Sequence, residues 1–178
     1  LKRHGWVLGV YVLLVVLATW PTLLHLQAEI IGREGDALVH LWNVHWVERA
    51  LVDDLLGTGS FSFHTTRLFY PGGVSLLNHN IPWLHALLWM AIKPVVGGVP
   101  AYSLTVIVTL VFNGFAGYLL ARDVTDSVEA SVTAGAVMLL WPAILDHTNH
   151  PNLIPIGFVA MVLRALRRLL DRGWPRDV

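Results

Sequence analysis

The 178 residues of this sequence are 55% hydrophobic and only 13% charged, with a mean hydropathy of +0.60. Soluble domains carry roughly 25% charged residues, so this composition indicates lipid as the main solvent. The 12 basic and 12 acidic residues cancel and leave no overall field that would recruit nucleic acid. The absence of cysteine excludes disulfides, thiolate metal sites and a cysteine nucleophile.

Four apolar segments predict membrane-spanning helices, because about 20 mainly apolar residues are needed to cross a hydrocarbon core. The fourth segment is the weakest, since Arg164 follows after only about 11 apolar positions. The sequence therefore predicts an all-α fold, in which residues 1–178 form a single transmembrane bundle of about four helices. The predicted spans are residues 5–26, 101–121, 128–145 and 152–170.

A long loop, residues 27–100, separates the first two spans. Its pattern predicts an amphipathic helix over residues 36–56, and its apolar run over 81–92 predicts an interfacial helix, because about 18 Å is too short to cross a membrane. With that run outside the core, the positive-inside rule places both termini in the cytoplasm and the long loop outside. The basic residues on the inner side are Lys2, Arg3, Arg122, Arg164, Arg167, Arg168, Arg172 and Arg176, against Arg33, Arg49, Arg67 and Lys93 outside.

Asp36, His40 and Asn43 open the first loop helix, and their spacing places all three on one helical face. One interpretation is a carboxylate that acts as a general base or metal ligand, with His40 and Asn43 as neighbours. The alternative is that Asp36 only caps the helix, since Asp is a preferred residue at helix N-termini.

Asp146, His147 and His150 form a second polar cluster, at the outer end of the third predicted span. These side chains could coordinate a divalent cation or bind phosphate, because His and carboxylate are ordinary metal ligands. A polar turn between helices is the alternative interpretation.

Isolated polar residues add weaker candidates. Arg67 and His79 lie near the YPGG turn, where Arg67 could clamp a phosphate or carboxylate. His25 and His85 are single histidines in apolar surroundings, where either a haem or pigment metal or simple packing would explain them.

The order of these features is more informative than any one motif. A first span, then GDALVHLWNVHWVERAL, then TTRLFYPGGVSLLNHNIPWLHALLW, then a helical hairpin ending in DHTNHPNL, resembles the N-terminal part of polytopic bacterial GT-C-type glycosyltransferases. The resemblance implies a bacterial inner-membrane protein that uses a polyprenyl-phosphate sugar donor. It places Asp36 at the position of the acidic residue after span one. It places Asp146, with His147 and His150, where some members bind a divalent metal such as Mg²⁺ or Mn²⁺.

A rival hypothesis is a non-catalytic accessory subunit that packs against other membrane proteins, for example in a photosynthetic or respiratory complex. In that case His25 or His85 would contact a bound pigment or haem. Its support is the chain's short length and a set of small residues that allow close helix packing. They are Gly114, Gly117, Ala130, Ala134 and Gly135. In both hypotheses the partners include membrane lipids.

Overall fold

The computed structural model describes residues 4–32 and 35–172. It is 68% helix and 2% strand, which confirms the mostly helical prediction. The helices are α1 (Gly5–Ala18), α2 (Asp36–Glu48), α3 (Trp83–Val96), α4 (Gly98–Arg122), α5 (Val128–Leu139), α6 (Pro142–Asp146) and α7 (Gly157–Arg172). A 3₁₀ turn covers Thr22–His25, a π-helical extension of α2 covers Arg49–Leu56, and two short strands, β1 (His64–Thr65) and β2 (Val74–Ser75), pair antiparallel.

Prolines shorten two of the predicted spans. The first was predicted to cover residues 5–26, but α1 ends at Ala18, just before Trp20 and Pro21. The third was predicted over 128–145, but it divides into α5 and α6 where Pro142 begins a new helix. Proline lacks an N–H and disfavours helical geometry in the preceding residue, so both interruptions have a local cause.

The remaining predicted helices are present with shifted ends. α4 extends the span predicted over 101–121 at both ends, and α3 contains the helix predicted over 81–92 except for its first two residues. α7 begins at Gly157, five residues later than predicted, since Pro155 precedes it. α2 begins at Asp36 as predicted.

Two segments, Gly98–Arg122 and Val128–Asp146, are long and apolar enough to cross a membrane, judged by length and composition alone. α1 and α3 are apolar but shorter. Only 22% of the apolar window in Val128–Asp146 is buried inside the chain, so most of that surface needs lipid or another apolar partner.

α4 is the central helix, and α1, α3, α5 and α7 all pack on it. Glycines permit the closest approach, because a Cβ on Gly135 would overlap the Tyr11 hydroxyl and the Gly114 carbonyl oxygen. The Tyr11 hydroxyl donates to the Val132 carbonyl at 3.1 Å. These small residues are therefore used within the chain's own α1–α4–α5 packing.

The bundle has two chemically different ends. At the first, called the Asp123 end, the side chain of Asp123 binds Arg164 and Arg168 of α7, and His4 Nδ1 lies 2.8 Å from the Tyr118 hydroxyl. At the other, called the Asp36 end, the loop before α2 meets the loop between α6 and α7.

α2 and α3 pack together at the Asp36 end of the molecule. The His45 and Trp89 rings lie 4.5 Å apart between centroids, and Lys93 pairs with Glu48. The buried Trp89 donates its indole N–H to the Gly98 carbonyl at 2.7 Å, which ties α3 to the start of α4. Within the long loop, α3 therefore packs on α4 and α2 packs on α3.

Candidate functional site

Asp36 contacts His150 across 114 positions of the chain. Its Oδ2 lies 3.1 Å from His150 Nε2, and the Asp36 and His150 side chains are 62% and 29% exposed. Gly35, at φ 91°, is the N-cap residue of α2, and Asp36 lies in the first turn, where a carboxylate suits the positive end of the helix dipole. The contact between the Asp36 carboxylate and the His150 imidazole has ion-pair length, and it joins opposite charges when the imidazole is protonated.

Two side chains of α4 explain why these segments meet. Ser103 Oγ accepts a hydrogen bond from the Ile31 N–H at 3.0 Å, shortly before Asp36. Asn113 is fully buried; its Nδ2 donates to the Ile154 carbonyl at 2.7 Å and its Oδ1 accepts from the Gly157 N–H at 2.8 Å, shortly after His150. Both loops are therefore anchored to one helix.

Gly32 allows the two loops to touch through their backbones. Its φ is +131°, and a Cβ there would lie 3.0 Å from Asn149 Cα and 3.2 Å from the Ala37 side chain. Only glycine adopts this backbone geometry without strain and leaves room for the backbone at Asn149. The close approach of the two loops therefore requires glycine at position 32.

A row of polar side chains continues inward from Asp36 and His150. The His40 ring lies 6.0 Å from that of His150, and Asn43 Nδ2 lies 3.3 Å from His40 Nδ1. His79 Nε2 lies 3.0 Å from Asn43 Oδ1. The predicted shared face of α2 is therefore confirmed, and it meets two other segments of the chain.

Burial lowers the pKa of His40, and the nearby His150 and His79 lower it further, while Asp36 acts in the opposite direction. The ring is only 4% exposed, so desolvation of the charged form is the largest cause. His40 is therefore neutral near pH 7 and takes part as a hydrogen-bonding group rather than a cation.

An open cleft of about 760 Å³ lies at the same end of the molecule, and neither Asp36 nor His150 is among its described lining residues. Gly32, Asp146 and Thr148 line it, and a smaller cavity of about 150 Å³ shares Gly32 and Thr148. Among the described residues, three buried polar atoms in the adjoining turn have no hydrogen-bond partner within the protein: Asn149 Oδ1, His150 Nδ1 and Asn152 Oδ1. Buried polar atoms are normally satisfied, so this turn is suited to receive hydrogen bonds from a ligand or water.

The predicted metal ligands do not assemble into a metal site in the part of the chain that the structure describes. His147 Nδ1 lies 2.6 Å from the Ala143 carbonyl of its own turn, and His150 Nε2 is bound to Asp36. Asp146 is exposed at the end of α6. Across residues 4–32 and 35–172, no three His, Cys, Asp or Glu side chains are grouped to hold a metal ion. The metal role proposed for Asp146, His147 and His150 stays a prediction.

The other candidates make no hydrogen bond with this cluster, although His40 is near enough to His85 to add to the lowering of its pKa by burial. Arg67 is exposed, and its backbone N–H binds Thr65 Oγ1 at 3.2 Å. His25 is exposed in the 3₁₀ turn. His85 is 2% exposed, with Nε2 2.6 Å from Thr105 Oγ1 and its ring packed on Tyr102. It packs between α3 and α4, and the roles proposed for these residues in phosphate or haem binding stay predictions.

Sequence reasoning missed Ser103, Asn113 and Gly32 as residues that position the site. A signal was present at Asn113, since an amide within an apolar span usually has a specific partner.

Comparison of the chain with protein-family models, curated proteins and solved structures finds no match. The functional conclusion therefore depends on the site's geometry and on the order of its sequence features.

Proposed function

We propose that this chain is a GT-C-like membrane protein that takes part in sugar transfer from a polyprenyl-phosphate donor at the Asp36 end. One observation supports the proposal: two polar clusters far apart in sequence meet where Asp36 Oδ2 lies 3.1 Å from His150 Nε2. A carboxylate in contact with an imidazole is an arrangement suited to proton transfer, and an open cleft lies at the same end of the molecule.

In the proposed reaction, an acceptor hydroxyl attacks the anomeric carbon of the sugar. The bond between that carbon and the phosphate oxygen breaks, and the polyprenyl phosphate leaves with the bonding electrons. Asp36 accepts the hydroxyl proton while the His150 N–H holds the carboxylate in place. His40 and His79 are the proposed phosphate contacts, with Arg67 as a further candidate. No step is assigned to a divalent metal.

The proposed membrane placement has α1, α4, α5–α6 and α7 as four crossings, with both termini in the cytoplasm of a bacterial inner-membrane protein. Its support is that Arg122, Arg164 and Arg168 gather at the Asp123 end, as expected of a cytoplasmic face. Arg164 is 17% exposed and binds Asp123 Oδ2 at 3.0 Å. Pairing with Asp123 lowers the cost of burying this charge directly after the apolar first half of α7.

Replacement of Asp36 tests the catalytic role. We expect Asp36→Asn to slow sugar transfer by about 10²-fold or more, because the amide cannot accept the proton. The matched control is Asp53→Asn, which removes an exposed carboxylate from the extension of α2 that pairs only with Arg49 among the described residues. The measurement is turnover of a panel of polyprenyl-phosphate sugars by the purified full chain in proteoliposomes.

Equal rates for the wild type and Asp36→Asn, or no turnover of any donor in the panel by the wild type, would contradict the proposal. A rate loss in Asp53→Asn equal to that in Asp36→Asn would also count against it, because both would then reflect general loss of charge.

A second candidate is the accessory subunit, favoured by apolar side chains exposed on α7, such as Val159, Val162 and Leu166. Such a face suits either lipid or another membrane protein. The glycines that supported this hypothesis are occupied by the chain's own helices. Stoichiometric membrane partners in a gentle-detergent pull-down, with indifference to Asp36→Asn, would favour it.

A further inference from the structure

A cavity of about 480 Å³ lies at the Asp123 end, opposite the candidate catalytic site. Three guanidinium groups line it, Arg122 at the end of α4 and Arg164 and Arg168 from α7. Asp123 is the only carboxylate among the described residues of its lining, so the cavity carries two more positive than negative charges. This size lies within the range of small-molecule sites, roughly 300–1,000 Å³.

Asp123 already shows how the cavity holds an anion. Arg168 donates to both of its carboxylate oxygens, from Nε at 2.6 Å and from Nη2 at 2.9 Å, and Arg164 Nε donates to Oδ2 at 3.0 Å. The hydrogen bond from Arg168 is the largest cause that lowers the pKa of Asp123, so the carboxylate stays ionised near pH 7. The guanidinium fork matches phosphate as well as carboxylate.

Arg122 and Arg164 keep N–H donors that form no hydrogen bond with the described residues. Arg122 Nη1 donates to the Thr125 and Asp126 carbonyls, and Arg164 makes a single hydrogen bond. A guanidinium carries more N–H groups than these bonds use, and it has no acceptor with which to satisfy them internally. The cavity can therefore bind a second anion beside Asp123.

The rest of the described lining is mixed: His4 and Tyr118 contribute polar atoms, and three other residues are apolar. Trp6, Leu119 and Val128 border the same cavity, and Trp6 is 55% exposed near the start of α1. A site that is basic at one part and apolar at another matches a phospholipid, whose phosphate is charged and whose glycerol and acyl groups are not. Basic pockets between helices on the cytoplasmic side are known to suit anionic headgroups.

We propose that this cavity binds the phosphate of an anionic phospholipid headgroup from the cytoplasmic leaflet. The proposal rests on the membrane placement given above and is independent of sugar transfer. The bound lipid would bridge α4, α7 and the start of α1, and would stabilise their packing at this end.

The test is native mass spectrometry of the full chain in a non-ionic detergent, titrated with phosphatidylglycerol or phosphatidylcholine. We expect one phosphatidylglycerol to bind at least about tenfold more tightly than phosphatidylcholine, because only the former brings a net negative charge to the arginines. We expect Arg168→Gln to weaken that binding about tenfold while Arg164 still holds Asp123.

The matched control is Arg167→Gln, which removes the same charge from the adjacent position of α7. Arg167 pairs with Asp171 and does not line the cavity. We expect this variant to bind phosphatidylglycerol as the wild type does. If Arg168→Gln does not fold, Arg122→Gln makes the same test from α4.

Asp123→Asn gives a test of opposite sign, since it removes the competing carboxylate. We expect phosphatidylglycerol to bind this variant at least as tightly as the wild type, although the protein itself is less stable. Equal binding of the two lipids, or equal weakening by Arg167→Gln and Arg168→Gln, would overturn the proposal. Displacement of the lipid by millimolar inorganic phosphate would assign the site to a free anion and overturn the lipid source.

Discussion

The contact between Asp36 and His150 is at the surface, and such exposed pairs contribute roughly 0–1 kcal/mol to stability. The pair therefore does not hold the two loops together. Their position is set by backbone anchoring to Ser103 and Asn113 and by the close approach at Gly32. A weak pair in a firmly held position is consistent with a role in chemistry rather than in folding.

Gly32→Ala tests whether the close backbone approach positions the site. We expect a loss of about 1–3 kcal/mol, because the new residue combines an unfavourable positive φ with crowding against Asn149. The measurement is the thermal unfolding midpoint in detergent, followed by the sugar-transfer rate.

The control for this change is Gly57→Ala in the extended part of α2. Gly57 has helical φ and ψ, and a Cβ there meets only the Val52 carbonyl at 3.6 Å. We expect that variant to be as stable as the wild type or slightly more so. A Gly32→Ala protein with unchanged midpoint and unchanged rate would show that the approach of the loops is not required.

At the scale of single residues, the sequence predicted the side-chain arrangement that helical spacing determines. Asp36, His40 and Asn43 share a face because i, i+4 and i+7 lie together on any α-helix. The contact with His150 depends on partners more than a hundred residues away, and no local pattern specifies them. The exposure of His25 follows from the end of α1 before Pro21, a local signal that the span predicted over 5–26 did not take into account.

At the scale of elements, α4 organises the molecule. It supplies both loop anchors and packs against four other helices. Its length was predictable from apolar composition, and so were the interruptions at Pro21 and Pro142, because proline disfavours helix continuation wherever it occurs. The pairing of Asp123 with α7 was not predictable, because acidic residues after a span are usually solvated turn residues.

Acidification tests the link between α4 and α7. The arginines hold the pKa of Asp123 below its ordinary value, so its ion pairs stabilise the folded protein fully above the unfolded-state value near 4. That contribution is lost as the pH falls further, through the lowered folded-state pKa. We expect the unfolding midpoint of the wild type to fall in this acid range more steeply than that of Asp123→Asn.

The same variant at neutral pH should lose about 2 kcal/mol, because charge-assisted hydrogen bonds from Arg164 and Arg168 are weakened. Parallel pH profiles for the two proteins, or no difference between them at pH 7, would show that the Asp123 cluster does not tie α7 to α4.

At the scale of the whole molecule, the two ends have different chemistry and are proposed to face different compartments. The chain contains no cysteine, so single introduced cysteines report topology without background. We expect Ser60→Cys, in the exposed loop after α2, to react with a membrane-impermeant maleimide in intact cells. We expect Asp126→Cys, in the turn after α4, to react only after permeabilisation.

Both sites reacting in intact cells, or labelling in the reverse order, would contradict the proposed orientation. The prediction draws on charge placement along the sequence, and the clustering of arginines at the Asp123 end agrees with it. α1 and α7, at 14 and 16 residues, are shorter than a full span.

The most direct test of the central proposal is a double-mutant cycle on sugar transfer with Asp36→Asn, His150→Gln and the two combined. If the carboxylate and the imidazole act as one unit, each single change slows transfer by about 10²-fold or more. The double variant is then no slower than the slower single variant. Multiplied losses in the double variant, or a full rate in His150→Gln, would contradict a shared site.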